Sequence, residues 1–213
     1  MRNCPICLAP YRRLLVKEYN GIDWSLYRCG ICDMLYLDSP AATEATLDVF
    51  YKKVYRTDDA PYSTERLENL ATFLCNFPLN APLVDVGGTD GCLAQILSAK
   101  GFSNVAVHGP GDVFNGVINT FVFSHTLEHI YNPDEMLRSV KRHIAKEGVV
   151  VVEGPIWEDV TSFTYDYHFQ HINKFTKAHL ERLFYIHGFR VALSTSISPY
   201  REYLCHRLVA YYD

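Results

Sequence analysis

A glycine-rich turn between an apolar run and a helical pattern constrains this fold more than any other feature. Residues 83–91 read Leu-Val-Asp-Val-Gly-Gly-Thr-Asp-Gly, and Leu93, Ile96 and Leu97 then recur with helical spacing. Glycines permit positive φ or close backbone approach, and a helix N-terminus presents unpaired N–H groups at the positive end of its dipole. Asp85 indicates a nucleotide-like ligand with an amine or hydroxyls at that point. A plain structural turn fits the same letters.

Strand-like and helical runs alternate along the chain, which predicts an α/β fold. Apolar strand-like runs lie at 104–108, 120–123, 149–152, 190–197 and 203–211. Helices are expected over 41–55, from Ser63 to before Pro78, from Asn132 to Gly148 and from Thr176 to Gly188. We therefore expect a Rossmann-like, doubly wound sheet over residues 79–213, preceded by a helical linker or lid over 39–78.

Two C-x-x-C pairs mark the N-terminal segment, residues 1–38, as a zinc ribbon. Cys4 and Cys7 form the first pair and Cys29 and Cys32 the second, at a spacing typical of zinc ribbons. Asn20-Gly21 between the pairs is a hairpin signal. Four protein ligands close a zinc site, so the predicted role is structural. Four unmetallated cysteines are the alternative.

Composition restricts the function classes. The formal net charge of −4 offers no basic field for general nucleic-acid binding, which argues against a nucleic-acid modifier. No apolar run approaches the length of a membrane span, and no signal-peptide pattern follows Met1. We therefore expect a protein of the reducing cytoplasm, where seven cysteines indicate metal ligation and free thiols rather than disulfides.

Several segments in this order resemble the motifs of class I S-adenosylmethionine-dependent methyltransferases. They are the glycine turn 85–93, the run 123–133 that begins Phe-Ser-His-Thr-Leu-Glu-His, the strand end 151–155 and the histidine segment 165–176. The resemblance is greatest to sugar C-methyltransferases that carry an N-terminal zinc-binding domain. The aromatic run 50–55 matches the aromatic stretch after the ribbon in that group. The resemblance covers nearly the whole chain.

The resemblance implies methyl transfer from S-adenosylmethionine to a small polar acceptor, such as a sugar nucleotide or another secondary metabolite. The cofactor-binding residues that it implies are Asp85, Gly87, Gly88, Thr89, Asp90, Gly91, His108, Ser124, His125 and Tyr55. It also implies that His171, with His168 beside it, removes the acceptor proton, because histidine titrates near neutrality. Histidines that only form hydrogen bonds within their loop are the alternative.

Two departures from the family pattern concern the far side of this pocket. His108 stands where relatives place an acidic ribose ligand, and Asp112 follows four residues late. Only ten residues, 109–118, separate the second and the next apolar strand, whereas a β-α-β unit needs roughly 30. The third strand is therefore predicted to be missing, which leaves a sheet edge that a homodimer or the predicted helices of residues 41–74 could cover. A degenerate methyltransferase-like scaffold protein is the alternative function.

His125-Thr126-Leu127-Glu128-His129 also spells the H-x-x-E-H pattern of some zinc proteases. That chemistry needs both histidines on one helical face and a third ligand. Because the pattern follows a buried strand directly, and Asn132-Pro133 begins the helix only later, the methyltransferase interpretation explains the letters better.

Overall fold

The computed structural model describes residues 3–19, 22–38, 60–88, 90–109, 111–157, 171–200 and 203–213. Its strands are β1 (Tyr11–Tyr19), β2 (Ile22–Cys29), β3 (Leu35–Asp38), β4 (Leu83–Val86), β5 (Val105–His108), β6 (Ile118–Ser124), β7 (Ile144–Pro155), β8 (Asn173–Lys174), β9 (Phe189–Tyr200) and β10 (Tyr203–Tyr212). Its α-helices are α1 (Ala60–Leu74), α2 (Cys92–Ala99), α3 (Pro133–His143) and α4 (Lys177–Ile186), and Leu127–His129 form a 3-10 turn.

The main sheet has six strands in the order β5-β4-β6-β7-β10-β9. The first four are parallel, and β10 runs antiparallel between β7 and β9. This mixed sheet with helices confirms the predicted Rossmann-like methyltransferase fold. Within the described residues β5 has no neighbour on its outer side, as the short connection to β6 predicts.

Two apolar clusters cover the two faces of this sheet. Alternate residues of each strand point to opposite faces, so Phe121 and Phe123 enter one cluster while Val122 enters the other. Helices α1 and α2 cover the face of Val122. Helices α3 and α4 and the N-terminal segment share the opposite cluster. The parallel strands β4, β6 and β7 are therefore buried on both faces, as their unbroken apolar runs predict.

The N-terminal segment forms a second, four-stranded sheet in the order β1-β2-β3-β8. Its fourth strand, β8, comes from a segment far along the chain: Leu35 pairs with Lys174, and Tyr36 pairs with Asn173. The ring of His179 in α4 also lies 2.6 Å from the carbonyl oxygen of Cys32. The ribbon is thus joined to the main sheet through its last strand and through one buried side chain.

The predicted starts of the last two helices are confirmed by their caps. The Asn132 side chain accepts a hydrogen bond from the Glu135 N–H at 3.3 Å, with Pro133 as the first helical residue. The Thr176 side chain accepts from the N–H of His179, whose ring in turn accepts from the Thr176 N–H. The turn after α4 has Gly188 at φ 82°.

Two predicted helix boundaries are wrong, and the predicted helix over 41–55 lies outside the described residues. Helix α1 begins at Ala60 rather than after Ser63, because Pro61 suits the first turn of a helix. Helix α3 ends at His143 rather than at Gly148, because the backbone is already extended at Ile144, where β7 begins. The helices in the described part of the chain are too short or too polar to cross a bilayer.

Candidate active site

The glycine turn connects β4 to α2 at the carboxyl edge of the parallel strands. Gly87 has φ 86° and Gly91 has φ 69°, both in the left-handed region that favours glycine. Gly91 is the N-cap of α2, and the Cys92 N–H donates to the Asp90 carboxylate at 3.1 Å. Thr89 lies outside the described residues. Two of its glycines therefore adopt the positive φ that the sequence predicts for this turn.

Asp85, in β4 just before this turn, is a buried carboxylate. It is 1% exposed, and neither carboxylate oxygen has a hydrogen-bond partner within the described residues. Burial raises the pKa of this carboxyl to about 7, although the nearby charge of Arg66 opposes the rise. A methyl group on Gly88 would collide with the Asp85 carboxylate. The buried Asp85 carboxylate thus lies against the backbone of Gly88, where there is no room for a side chain.

The end of β6 brings the next predicted residues beside this turn. The Ser124 hydroxyl accepts a hydrogen bond from the Arg66 guanidinium at 2.5 Å, and the Thr126 hydroxyl donates to the Val86 carbonyl at 2.8 Å. A Cβ on Gly87 would lie 2.5 Å from the Thr126 side chain, so the two loops are packed together. His125 has φ 51°, and burial lowers the pKa of its imidazole to about 3. The ends of β4 and β6, with Asp85, Gly87, Ser124 and His125, therefore lie side by side at the carboxyl edge of the sheet.

A buried ion-pair network supports the same edge, and sequence reasoning missed it. Glu153, fully buried at the end of β7, accepts hydrogen bonds from the Arg207 guanidinium at 3.0 and 2.5 Å. Arg66 lies 3.5 Å from the other Glu153 oxygen, and Arg207 also donates to Asn69 at 3.0 Å. The network connects α1 to β7 and β10. The one sequence signal for this network was an acidic residue, Glu153, directly after the apolar run Val149–Val152.

Glu128, His129 and His171 converge beyond this network. One ligand atom of each lies within 4.8 Å of the other two. Glu128 is 3% exposed, and burial raises the pKa of its carboxyl to about 8, while the charges of Arg66 and Lys174 oppose that rise. The ring of His171 contacts the rings of His129 and Trp157, with centroids 4.8 and 5.4 Å apart. Sequence reasoning named His171 but not Glu128 and His129 as its neighbours; His168 and Tyr55 lie outside the described residues.

On the other side of the glycine turn lie β5 and its short connection to β6. His108 lies at the end of β5 beside Val86, and its ring lies 5.5 Å from that of Phe114. The Asp112 carboxylate accepts from the Gly109 N–H at 2.7 Å, so it closes the turn after β5. His108 is therefore next to the glycine turn, whereas the Asp112 carboxylate is engaged by its own loop.

The four ribbon cysteines also converge. Sγ–Sγ distances are 3.5 Å for Cys4 and Cys32, 3.3 Å for Cys7 and Cys29, and 3.7 Å for Cys7 and Cys32. In each pair, the N–H two residues after the first cysteine donates to that cysteine's sulfur at 3.4 Å. Four thiolates on a zinc ion lie about 3.8 Å apart, so the cluster has the donor set and nearly the dimensions of a tetrahedral metal site.

Solved methyltransferases share this fold. The 1,6-didemethyltoxoflavin-N1-methyltransferase of Burkholderia thailandensis, solved with 1,6-didemethyltoxoflavin and S-adenosylhomocysteine, gives a TM-score of 0.64 at 13% identity, over 92% of this chain and 99% of that chain. The magnesium protoporphyrin IX methyltransferase of Synechocystis PCC 6803, solved with S-adenosylhomocysteine, gives 0.57 at 12% identity, over 79% and 95%. The pyocyanin biosynthetic protein PhzM gives 0.55 at 17% identity, over 77% of this chain and 62% of its own. This chain therefore spans less than two thirds of the last relative.

Sequence comparison identifies the class. No curated protein sequence matches this chain. Residues 56–194, which is more than half of the chain, match a family described as a methyltransferase domain. That range contains the glycine turn, the end of β6 and the histidine cluster. The chain therefore belongs to the methyltransferase domain family and is an enzyme of the methyltransferase class.

Proposed function

We propose that this protein transfers a methyl group from S-adenosylmethionine to a small polar acceptor. The observation that carries the proposal is Asp85, a buried carboxylate without a hydrogen-bond partner in the described residues, held against the backbone of Gly88. A carboxylate there can accept hydrogen bonds from a ligand amine or hydroxyl, and the side-chain-free turn lets that ligand approach the backbone. The residues present therefore fit the amino acid end of this cofactor.

Bound S-adenosylmethionine supplies an activated methyl group on a sulfonium, so the protein mainly has to align the two reactants. Asp85 and the backbone from Gly87 to Gly91 would hold the amino acid end. Ser124 and His125 would line the floor of the pocket, and His108 would lie at the adenosine end. Tyr55 stays a predicted contact. The Arg66 guanidinium fixes Ser124, so α1 contributes to the shape of the pocket.

The acceptor would lie beside His171. The prediction that His171 acts as a general base, with His168 as its neighbour, stays a prediction. The acceptor is proposed to be sugar-linked or another secondary metabolite, because the ribbon, glycine turn and histidine segment occur together in the group that the sequence resembles. We also propose that Cys4, Cys7, Cys29 and Cys32 hold a structural zinc ion, on the strength of their spacing and convergence. Seven cysteines, all outside disulfides, suit the reducing cytoplasm as the compartment.

Calorimetry with S-adenosylhomocysteine and S-adenosylmethionine tests the cofactor assignment directly. We expect one site per chain and a rise in melting temperature with cofactor concentration, because a ligand that binds only the folded state stabilises it. The absence of both binding heat and a thermal shift at millimolar cofactor would reject the assignment and favour a scaffold role. Metal analysis of the same sample tests the ribbon, since well under one zinc per chain would contradict it.

A further inference from the structure

A set of metal-ligand side chains lies at the carboxyl edge of the sheet, separate from the ribbon cysteines. Glu128, His129 and His171 each bring one ligand atom within 4.8 Å of the other two. The Glu128 Oε1 atom lies 3.9 Å from His129 Nε2 and 3.6 Å from His125 Nδ1. Two imidazoles and one carboxylate are a donor set found in catalytic zinc and non-haem iron sites.

Buried hydrogen bonds hold these residues together. Asn173, fully buried in β8, donates through its amide to the Leu127 carbonyl at 3.3 Å and to the Ile130 carbonyl at 2.6 Å. These bonds tie the 3-10 turn that carries Glu128 to a strand that begins two residues after His171. The arrangement therefore depends on the fold of two elements and not on one surface loop.

The environment of Glu128 favours a bound cation. Its Oε1 atom is buried and has no hydrogen-bond partner within the described residues, which is costly for a carboxylate oxygen. Its other oxygen packs on β7, where a Cβ on Gly154 would lie 3.2 Å away. The carboxylate is thus confined between the strand and the imidazoles. An ion coordinated by the carboxylate and the imidazoles would satisfy it.

We propose that Glu128, His129 and His171 bind a divalent first-row cation such as Mn²⁺ or Zn²⁺. Ligand atoms on such an ion, at about 2.1 Å each, lie roughly 3 to 3.5 Å from one another. The observed separations therefore need to close by about 1 Å when the ion binds. Three protein ligands leave coordination positions open, and His125 lies close enough to take one of them.

The open coordination positions on the cation indicate the chemical class of the methyl acceptor. This inference rests on the proposed methyl transfer. Oxygen ligands on neighbouring carbon atoms, as in a sugar diol or a catechol, can occupy two positions of one cation. The acceptor hydroxyl would lose its proton to solvent; its oxygen would bond the methyl carbon while the carbon–sulfur bond breaks and leaves its electron pair on sulfur. His171 would then be a metal ligand and not the base, and transfer would depend on the cation.

Manganese binding by the full-length protein tests the site without an acceptor. Mn²⁺ is a suitable probe because the soft thiolates of the ribbon select zinc instead. Calorimetry and electron paramagnetic resonance should show one Mn²⁺ per chain, with nitrogen couplings from two histidines. E128Q and H171A should each weaken Mn²⁺ binding by about tenfold or more. The matched control is H143A, because His143 lies on α3 and its ring contacts the Ser139 carbonyl and Phe114.

Three outcomes would overturn the site: no Mn²⁺ binding by the wild type at millimolar metal, equal binding by wild type and both variants, or absence of histidine nitrogen couplings. The nitrogen couplings need no variant, and E128Q preserves side-chain size, so a misfolded H171A does not leave the question open. Titration of the same samples with S-adenosylhomocysteine separates the two proposals. Metal binding without cofactor binding would reject the methyl-transfer proposal alone.

Discussion

The two ends of the proposed cofactor site are built in opposite ways. At the proposed amino acid end, Asp85 lies in β4, which has a neighbour on each side, Gly88 follows that strand, and Arg66 of α1 contacts Ser124. At the adenosine end, β5 is the last strand of the described sheet, and Val107 is 40% exposed. The first end is enclosed by residues far apart in the chain, and the second by a few local residues.

This difference suggests where binding free energy is concentrated. A buried carboxylate and a turn without side chains restrict the ligand and leave no alternative packing, so small changes there should have large effects. Replacing exposed residues on an edge strand should cost little binding free energy. The three predictions below test this asymmetry, from the largest expected effect to the smallest.

We expect G88A to lower the affinity for S-adenosylhomocysteine by about 100-fold or more, which is about 3 kcal/mol. The added methyl group would displace the Asp85 carboxylate and occupy the ligand's approach to the turn. Calorimetry measures the loss. The matched control is G111A in the connection after β5, where a Cβ would meet no atom within 4 Å. Equal affinities for the two variants would show that the two ends contribute alike.

We expect D85N to stabilise the cofactor-free protein by about 1 to 3 kcal/mol near pH 8 and to have little effect near pH 4. The pKa of Asp85 rises from 3.8 to about 7 in the folded state, so the folded state binds this proton more tightly than the unfolded state. The penalty is absent below about pH 4, grows as the pH rises, and is complete above about pH 7.

Denaturant titrations of wild type and D85N across this pH range measure the difference in unfolding free energy. D85N should also bind S-adenosylhomocysteine more weakly, because an amide accepts hydrogen bonds less strongly than a carboxylate. A stability difference that does not change with pH would contradict the assignment of the buried charge. Unchanged cofactor affinity would remove Asp85 from the site.

The smallest effect is expected for D112A. The Asp112 carboxylate caps the Gly109 N–H, and loss of such a bond costs roughly 1 kcal/mol of stability. Cofactor affinity should fall less than threefold, because this carboxylate is engaged by its own loop. H108A should lose somewhat more cofactor affinity than D112A, because His108 lies beside Val86 at the glycine turn. A tenfold or larger loss of affinity in D112A would instead assign Asp112 to the ribose hydroxyls and make the adenosine end equal in weight.

Local signals account for the part of the fold that could be predicted. The caps Asn132 and Thr176, the glycine turn and the apolar runs each act within a few residues, and the missing strand follows from a count of residues between β5 and β6. The starts of α1 and β7 were wrongly predicted because the sequence at each boundary is compatible with two different local structures. Pro61 reads as a loop residue but suits a helix start, and Ile144 continues the apolar face of a helix although it begins a strand.

The parts of the site that could not be predicted depend on distant pairs. Arg207 meets Glu153 across two antiparallel strands, and Arg66 meets Ser124 only after α1 has packed on the sheet. Likewise, His171 meets Glu128 because β8 brings their segments together. No periodicity or spacing encodes such pairs. The predicted roles of Tyr55, Thr89 and His168 and the predicted homodimer stay predictions.

The pairing of β3 with β8 has a consequence for the order of synthesis. The ribbon is made first, yet its sheet gains its last strand only when a segment from far along the chain has left the ribosome. Contacts of such long range close late and slowly. Until then β3 lacks its partner β8, the strand that follows His171, so the ribbon sheet is incomplete while the rest of the chain is being made. Cutting the gene between the ribbon and α1 would leave the ribbon sheet without its fourth strand and β8 without the strand that it pairs with, so the two parts are better regarded as one folding unit.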